Sequence, residues 1–137
     1  MDEVDTRAGR SPDPEMQGAA EPVNLERAAG ALTELWSPKV VARVGDQYVK
    51  VARVQGEFVW HAHEAEDELF LVLSGRLRMR LRDRELVASA GEFLIVPRGV
   101  EHCPVADEEV HVLLVEPATT VNTGNAGGAR TREAEWI

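Results

Sequence analysis

A chain of 137 residues, 44% hydrophobic and 28% charged, is long enough to bury one modest core in a single domain. Fifteen basic against 24 acidic residues leave a net charge of −9, a balance that repels phosphate backbones and anionic lipid and argues against nucleic acid or membrane partners. No apolar run reaches the roughly 18 residues of a transmembrane helix. The acidic opening lacks the apolar stretch of a secretory signal, and the single cysteine, Cys103, cannot form an intrachain disulfide, so a cytoplasmic protein is expected.

Residues 1–22 are rich in Asp, Glu, Pro, Gly and Ala without an apolar period and read as a disordered tail. Leu25, Ala28, Ala29, Leu32 and Leu35 then recur at helical spacing behind Asn24, a good N-cap, which predicts one short amphipathic helix over about 24–36. Gly30 weakens that helix and Ser37-Pro38 ends it. From Lys39 to about Val121 the pattern is β: KVVARV, QYVKVARV, EFVWHAH, ELFLVL, RLRMRLR, ELVA, EFLIVP and VHVLLVE, divided by short Gly, Asp, Ser or Pro punctuation. Short strands at such regular spacing make an all-β sandwich or barrel, and 23–121 is assigned to one domain. Residues 122–137 are Gly-rich and polar and read as a flexible C-terminal tail.

Strand alternation sets the faces. In RLRMRLR, Leu77, Met79 and Leu81 point inward, and Arg76, Arg78, Arg80 and Arg82 form an outer stripe. The stripe is a solvated face meeting nearby acids, or else a phosphate-binding or subunit-docking surface. ELFLVL is apolar on both faces: an inward Glu68 takes Phe70 and Val72 with it and leaves Leu69, Leu71 and Leu73 outside. By the same parity, inward His61 and His63 put Phe58 and Trp60 outward. One short helix does not cover so much apolar exterior, which predicts a homodimer packed through outer sheet faces.

The chemistry concentrates in two segments. His61 and His63, two apart on a strand, share a face and converge on one point, with Glu68 opening the next strand. In the second segment, Pro97 and Gly99 form a turn that returns His102 toward the sheet. Three imidazoles and a carboxylate buried in a barrel are costly unless something satisfies them, and one divalent metal ion does so. The bland alternative is a pair of histidines satisfied in a polar cavity. Cys103 reads as a small buried side chain turned away from the site, and His111 as a strand-edge residue or a support behind the ligands.

These two segments resemble the motifs of the cupin superfamily. The first is Gly56-EFVW-His61-A-His63-EAED-Glu68-LFLVLS-Gly75, and the second Gly91-EFLIV-Pro97-R-Gly99-VE-His102-CPV-Ala106. Two departures stand out. Gly56 precedes His61 by four intervening residues where the motif has five, and Ala106 stands where the motif ends in Asn. Neither position is a metal ligand. The resemblance covers about 39–117 and is to small single-domain cupins of the mannose-6-phosphate isomerase-like kind, many of them uncharacterised. It implies a double-stranded β-helix (jelly-roll) barrel holding Fe, Mn, Zn, Ni, Co or Cu through His61, His63, Glu68 and His102. It further implies a metal-dependent enzyme for a small polar molecule, with dioxygenase, isomerase or lyase chemistry, or a non-catalytic binding or structural-metal module. Val59, Phe70, Val72 and Met79 are expected to wall the pocket. Arg98 and Glu101 are either polar contacts at its mouth or part of a solvated turn.

Overall fold

One long strand organises the chain. In the computed structural model, which describes residues 21–137, β7 (His102–Pro117) is sixteen residues long and pairs with three other strands. The expected disordered tail lies, but for its last two residues, outside the described residues. In chain order the elements are α1 (Leu25–Gly30), β1 (Lys39–Val44), β2 (Gln47–Glu57), β3 (Glu68–Ser74), β4 (Arg76–Leu81), β5 (Glu85–Ser89), β6 (Phe93–Val96), β7 and β8 (Glu135–Trp136). The sheet runs β5-β4-β7-β2-β1-β8, with β3 pairing β6 and β7, an open all-β jelly-roll arrangement. The first part of β7 pairs β4 (Arg78 opposite Val105). The later part lies between β2 and β3, with Val51 and Leu71 both opposite Leu113.

Alternation fills the interior as expected on β4, where Leu77 and Met79 are buried and Leu81 packs against the same cluster. Ala52, Val54, Phe70, Val72, Val110, Val112 and Leu114 belong to it as well. Gly75, between β3 and β4, has φ +87°, and a Cβ there would stand 3.0 Å from both the Glu109 carbonyl oxygen and Val110 Cγ2. A side chain is excluded at this corner by backbone conformation and by space together.

Three expectations are corrected. The helix stops at Gly30, short of Trp36: its N-cap is Asn24 as expected, but the chain turns after Ala31 and Trp36 sits at φ 59°. Its apolar face still covers the outer sheet, with Ala29, and Leu32 just past the helix end, against Val41 and Val51, and Leu73 packed alongside. Second, EFVWHAH is not a continuous strand. A register shift between Val54 and Gly56 ends regular pairing at Glu57, and His61 rejoins through an isolated bridge to His102. The parity argument therefore fails for Phe58, which turns inward and stacks on Trp36 with centroids 4.8 Å apart. Trp60 does lie outward, half-buried beneath Arg82. Third, 122–137, expected as a loose tail, is laid back over the barrel: Thr123 is fully buried, and β8 pairs in parallel with β1. Small and polar residues there find backbone partners that composition does not reveal.

The Arg stripe meets acids. Arg78 bonds Asp107 and Glu85, Arg80 bonds Glu57, and Arg82 bonds Glu101.

Candidate metal centre

His61, His63, Glu68 and His102 come together at one end of the barrel, all buried, with one ligand atom from each lying within 4.8 Å of the others. The bridge between the two motifs is reciprocal: His61 N–H donates to the His102 carbonyl at 3.0 Å and His102 N–H to the His61 carbonyl at 2.9 Å. Glu68 opens β3 opposite Val96, so β6 and the Pro97–Gly99 turn carry the chain from the carboxylate round to His102. Gly99 N–H closes that turn on the His63 carbonyl at 2.8 Å.

Second contacts orient the imidazoles. Nδ1 of His61 lies 2.8 Å from the Val59 carbonyl and Nδ1 of His102 lies 2.9 Å from that of Val100. A carbonyl only accepts, so each Nδ1 carries the proton and each Nε2 presents a lone pair. Glu68 Oε1 then stands 3.2 Å from His63 Nε2 and 3.4 Å from His102 Nε2. None of these three buried atoms has a hydrogen-bond partner. Three buried polar atoms without partners, aimed at one point, are costly in a dry interior and become favourable around a cation. The donor set, three imidazole nitrogens and one carboxylate, suits a first-row divalent ion, and the residues fit such an ion.

Electrostatics follow from burial. Burial first, then the neighbouring His102, pushes His61 down to about 4, so it is neutral near pH 7. Burial alone would raise Glu68, but the facing His102 and His63, with Glu116, outweigh it and hold the carboxyl well below its ordinary range. Glu116 goes the other way, driven up by burial and by the Glu68 charge despite Lys50.

A small cavity opens beside Glu68 and His61. Its walls are mainly apolar (Trp36, Val54, Phe58, Phe70, Val112 and Leu114), and Glu116 and Asn122 also reach it. Of the expected pocket residues, Phe70 lines this cavity. Val59, Val72 and Met79 do not; Val72 and Met79 have no exposed surface and are sealed in the core, and Val59 packs against it. Arg98 is exposed, with its backbone N–H on Asp67, and Glu101 pairs with Arg82 at 3.0 Å, so both belong to a solvated turn. Cys103 is buried and turned toward Glu57, with its thiol pushed up to about 11 by burial and then by the Glu57 charge. His111 supports no ligand: its ring bridges Glu26 of α1 and Glu109, each at 2.8 Å.

Sequence reasoning did not anticipate Glu116, Lys50, Trp36 or Asn122. The signal for the first two was present in strand alternation. Glu116 shares parity with Val110, Val112 and Leu114, and Lys50 with Ala52 and Val54. Trp36 and Asn122 reach the cavity from irregular segments, where no period exists to be read.

An open jelly roll with a buried His3Glu cluster behind an H-x-H and a P-x-G-x2-H segment defines a cupin-type candidate metal centre. The chain belongs to the cupin family, whose Cupin_2 domain model matches residues 40–116. It is 36% identical over 80 residues to the uncharacterized protein YdbB of Bacillus subtilis (strain 168), a match covering 58% of this chain and 71% of that one. Among solved structures, a cupin-2 domain containing protein from Shewanella frigidimarina NCIMB 400 is 39% identical, with a TM-score of 0.69 over 74% of this chain and 98% of that one. Protein NMB1881 from Neisseria meningitidis shares the fold at 24% identity, with a TM-score of 0.65 over 71% of this chain and 99% of that one.

Proposed function

We propose that this chain binds one divalent metal ion through His61, His63, Glu68 and His102 and uses it as an enzyme on a small polar molecule. The observation that carries this reading is the convergence of three buried polar atoms, His63 Nε2, Glu68 Oε1 and His102 Nε2, none with a partner. When bound, such an ion supplies Lewis-acid polarisation and, if iron, access to oxygen chemistry, which are the roles behind dioxygenase, isomerase or lyase activity. This chain's own residues bind and orient. The ligand's polar end lies toward Glu68 and His61, and its body packs on Trp36, Phe58, Phe70 and Leu114 with Glu116 as an additional polar contact. The apolar walls also keep bulk water from the site.

A second reading, a non-catalytic binding or structural-metal module, draws support from the scarcity of polar groups in those walls. Metal analysis of protein purified without added metal, with anaerobic assay of the Fe(II) form for O2 uptake against small diols, thiols and keto acids, separates the two. Zinc at full occupancy without ligand exchange favours the module. Unchanged metal content in both His61→Ala and Glu68→Ala defeats the ligand assignment itself.

We propose further that the protein acts in the cytoplasm as a homodimer. Leu69 pairs with Ile95 and Leu71 with Phe93 across β3 and β6, which places four apolar side chains on one outer patch. Phe93 is 62% and Ile95 50% exposed in the single chain, and a second copy would cover them.

A further inference from the structure

The ligand segment His61-Ala62-His63 is fastened residue by residue, and its middle is held from outside the family domain. The His61 carbonyl accepts from His102 and the His63 carbonyl from Gly99, both within the second motif. Ala62 lies between them and makes neither contact. Its N–H donates to Asn125 Oδ1 at 2.9 Å, and its carbonyl accepts from Asn125 N–H at 3.0 Å. Asn125 thus engages both backbone groups of the residue separating two metal ligands, in the manner of a one-residue strand partner. Gly124 lies flat against the same peptide. Its φ is +52°, a Cβ there would collide with the Ala62 carbonyl oxygen, and it would stand 3.2 Å from His61 Cδ2.

The segment bearing these residues is itself anchored. Thr119 bonds Glu66 in the loop between His63 and Glu68, and buried Thr123 shares a 2.6 Å hydroxyl contact with Thr131. Asn122 Oδ1 accepts from Arg132 N–H while its amide donates to the Arg130 carbonyl, and Arg132 pairs with Glu34. The family match ends at residue 116, so the whole strap lies beyond it.

We infer that the strap centred on Gly124 and Asn125 is a positioning device for the metal centre: by clamping the Ala62 peptide it fixes the separation and aim of His61 and His63. Neither residue is among the four candidate ligands, and both act through the backbone. The inference rests on the metal-site reading for its consequence, but the clamp is measurable without metal. Backbone rigidity around ligands tunes affinity because a loose segment must be ordered at the moment of binding.

The test uses the full chain and its Asn125→Ala, Asn125→Asp and Gly124→Ala variants, with two readouts. In metal-free protein, Ala62 amide exchange and the His61 and His63 imidazole resonances are followed by NMR. Zn2+ affinity is then measured by chelator competition, with Co2+ absorption reporting ligand geometry. Asn125→Ala is expected to speed Ala62 exchange by tenfold or more, shift both imidazoles, and weaken Zn2+ about tenfold with an altered Co2+ spectrum. Asn125→Asp, which keeps an acceptor oxygen, restores all three. Should Gly124→Ala fail to fold, the Asn125 pair alone decides. Unaltered Ala62 exchange and imidazole resonances in Asn125→Ala overturn the clamp. So does Zn2+ affinity within twofold of the parent with an unchanged Co2+ spectrum. If the parent chain takes up no Zn2+ or Co2+, the metal reading falls and so does the positioning role built on it; altered exchange in Asn125→Ala would then show that the two failures are distinct.

Discussion

Lys50 Nζ donates to Glu116 Oε2 at 2.6 Å, with both side chains almost wholly sealed from water. A charge removed from water is tolerated only with its partner, and removing one member strands the other. Lys50→Met is therefore expected to cost about 3–5 kcal/mol of unfolding free energy, while Lys50→Met combined with Glu116→Leu recovers most of it. Urea denaturation of the two singles and the double closes the cycle. A double variant destabilised by the sum of the two singles would show that the pair is not coupled.

Metal occupancy should register as stability. An ion present at a hundred times its dissociation constant adds about 2.7 kcal/mol to the folded state, or roughly 10 °C in Tm for a domain of this size. Differential scanning calorimetry with Zn2+ and after chelation measures the difference. His61→Ala should show none of it.

Two histidines predict opposite pH responses in the metal-free protein. Burial holds His61 down to about 4, so as pH falls from about 6.5 toward that value the unfolded chain takes up the proton first and stability declines. His111 has a raised value: burial opposes the charge, but the carboxylates of Glu26 and Glu109 outweigh it. Its contribution is fully present below the unfolded value of about 6.5 and is lost as pH rises through the folded one. Tm measured from pH 5 to 9 should therefore fall less steeply on the alkaline side in His111→Gln than in the parent. Parallel curves would remove His111 as the helix staple.

The outer patch of β3 and β6 predicts assembly. Phe93→Glu with Ile95→Lys should convert a dimer to a monomer in light scattering, with far-ultraviolet circular dichroism unchanged. A monomeric parent chain at 100 μM (about 1.5 g/L) would refute the dimer.

The candidate ligands were legible because motif spacing survives local irregularity. His61, His63, Glu68 and His102 meet although the strand reasoned for the first two ends at Glu57. The inward set of β4 followed from alternation without correction. What escaped lay where the period breaks: Phe58 reversed its side after the bulge near Gly56, and Trp36 adopted a left-handed backbone that no helical pattern foretells. The C-terminal strap escaped for a different reason. Its polar residues resemble a solvated tail until Ala62 is seen to need partners that only Asn125 supplies. Glu116 was readable from parity and was missed because a charged residue at the end of an apolar strand is ordinarily assigned to solvent.

The long strand β7 also bears on how the protein comes into being. It begins with His102, pairs Gly56 and Glu57 near its start and Gln47 near its end, and lies beside β3 as well. The cluster accordingly draws on residues 61, 63, 68 and 102, with Asn125 reaching Ala62 from the strap, and all are brought together by pairings distant in sequence. Such contacts form late and slowly, after the entropy of closing long loops has been met. A nascent chain that ends before β7 has the first two imidazoles but neither His102 nor the strap. On the proposed metal reading, uptake should report completed topology, and an ion supplied during refolding should capture the last step without accelerating the first.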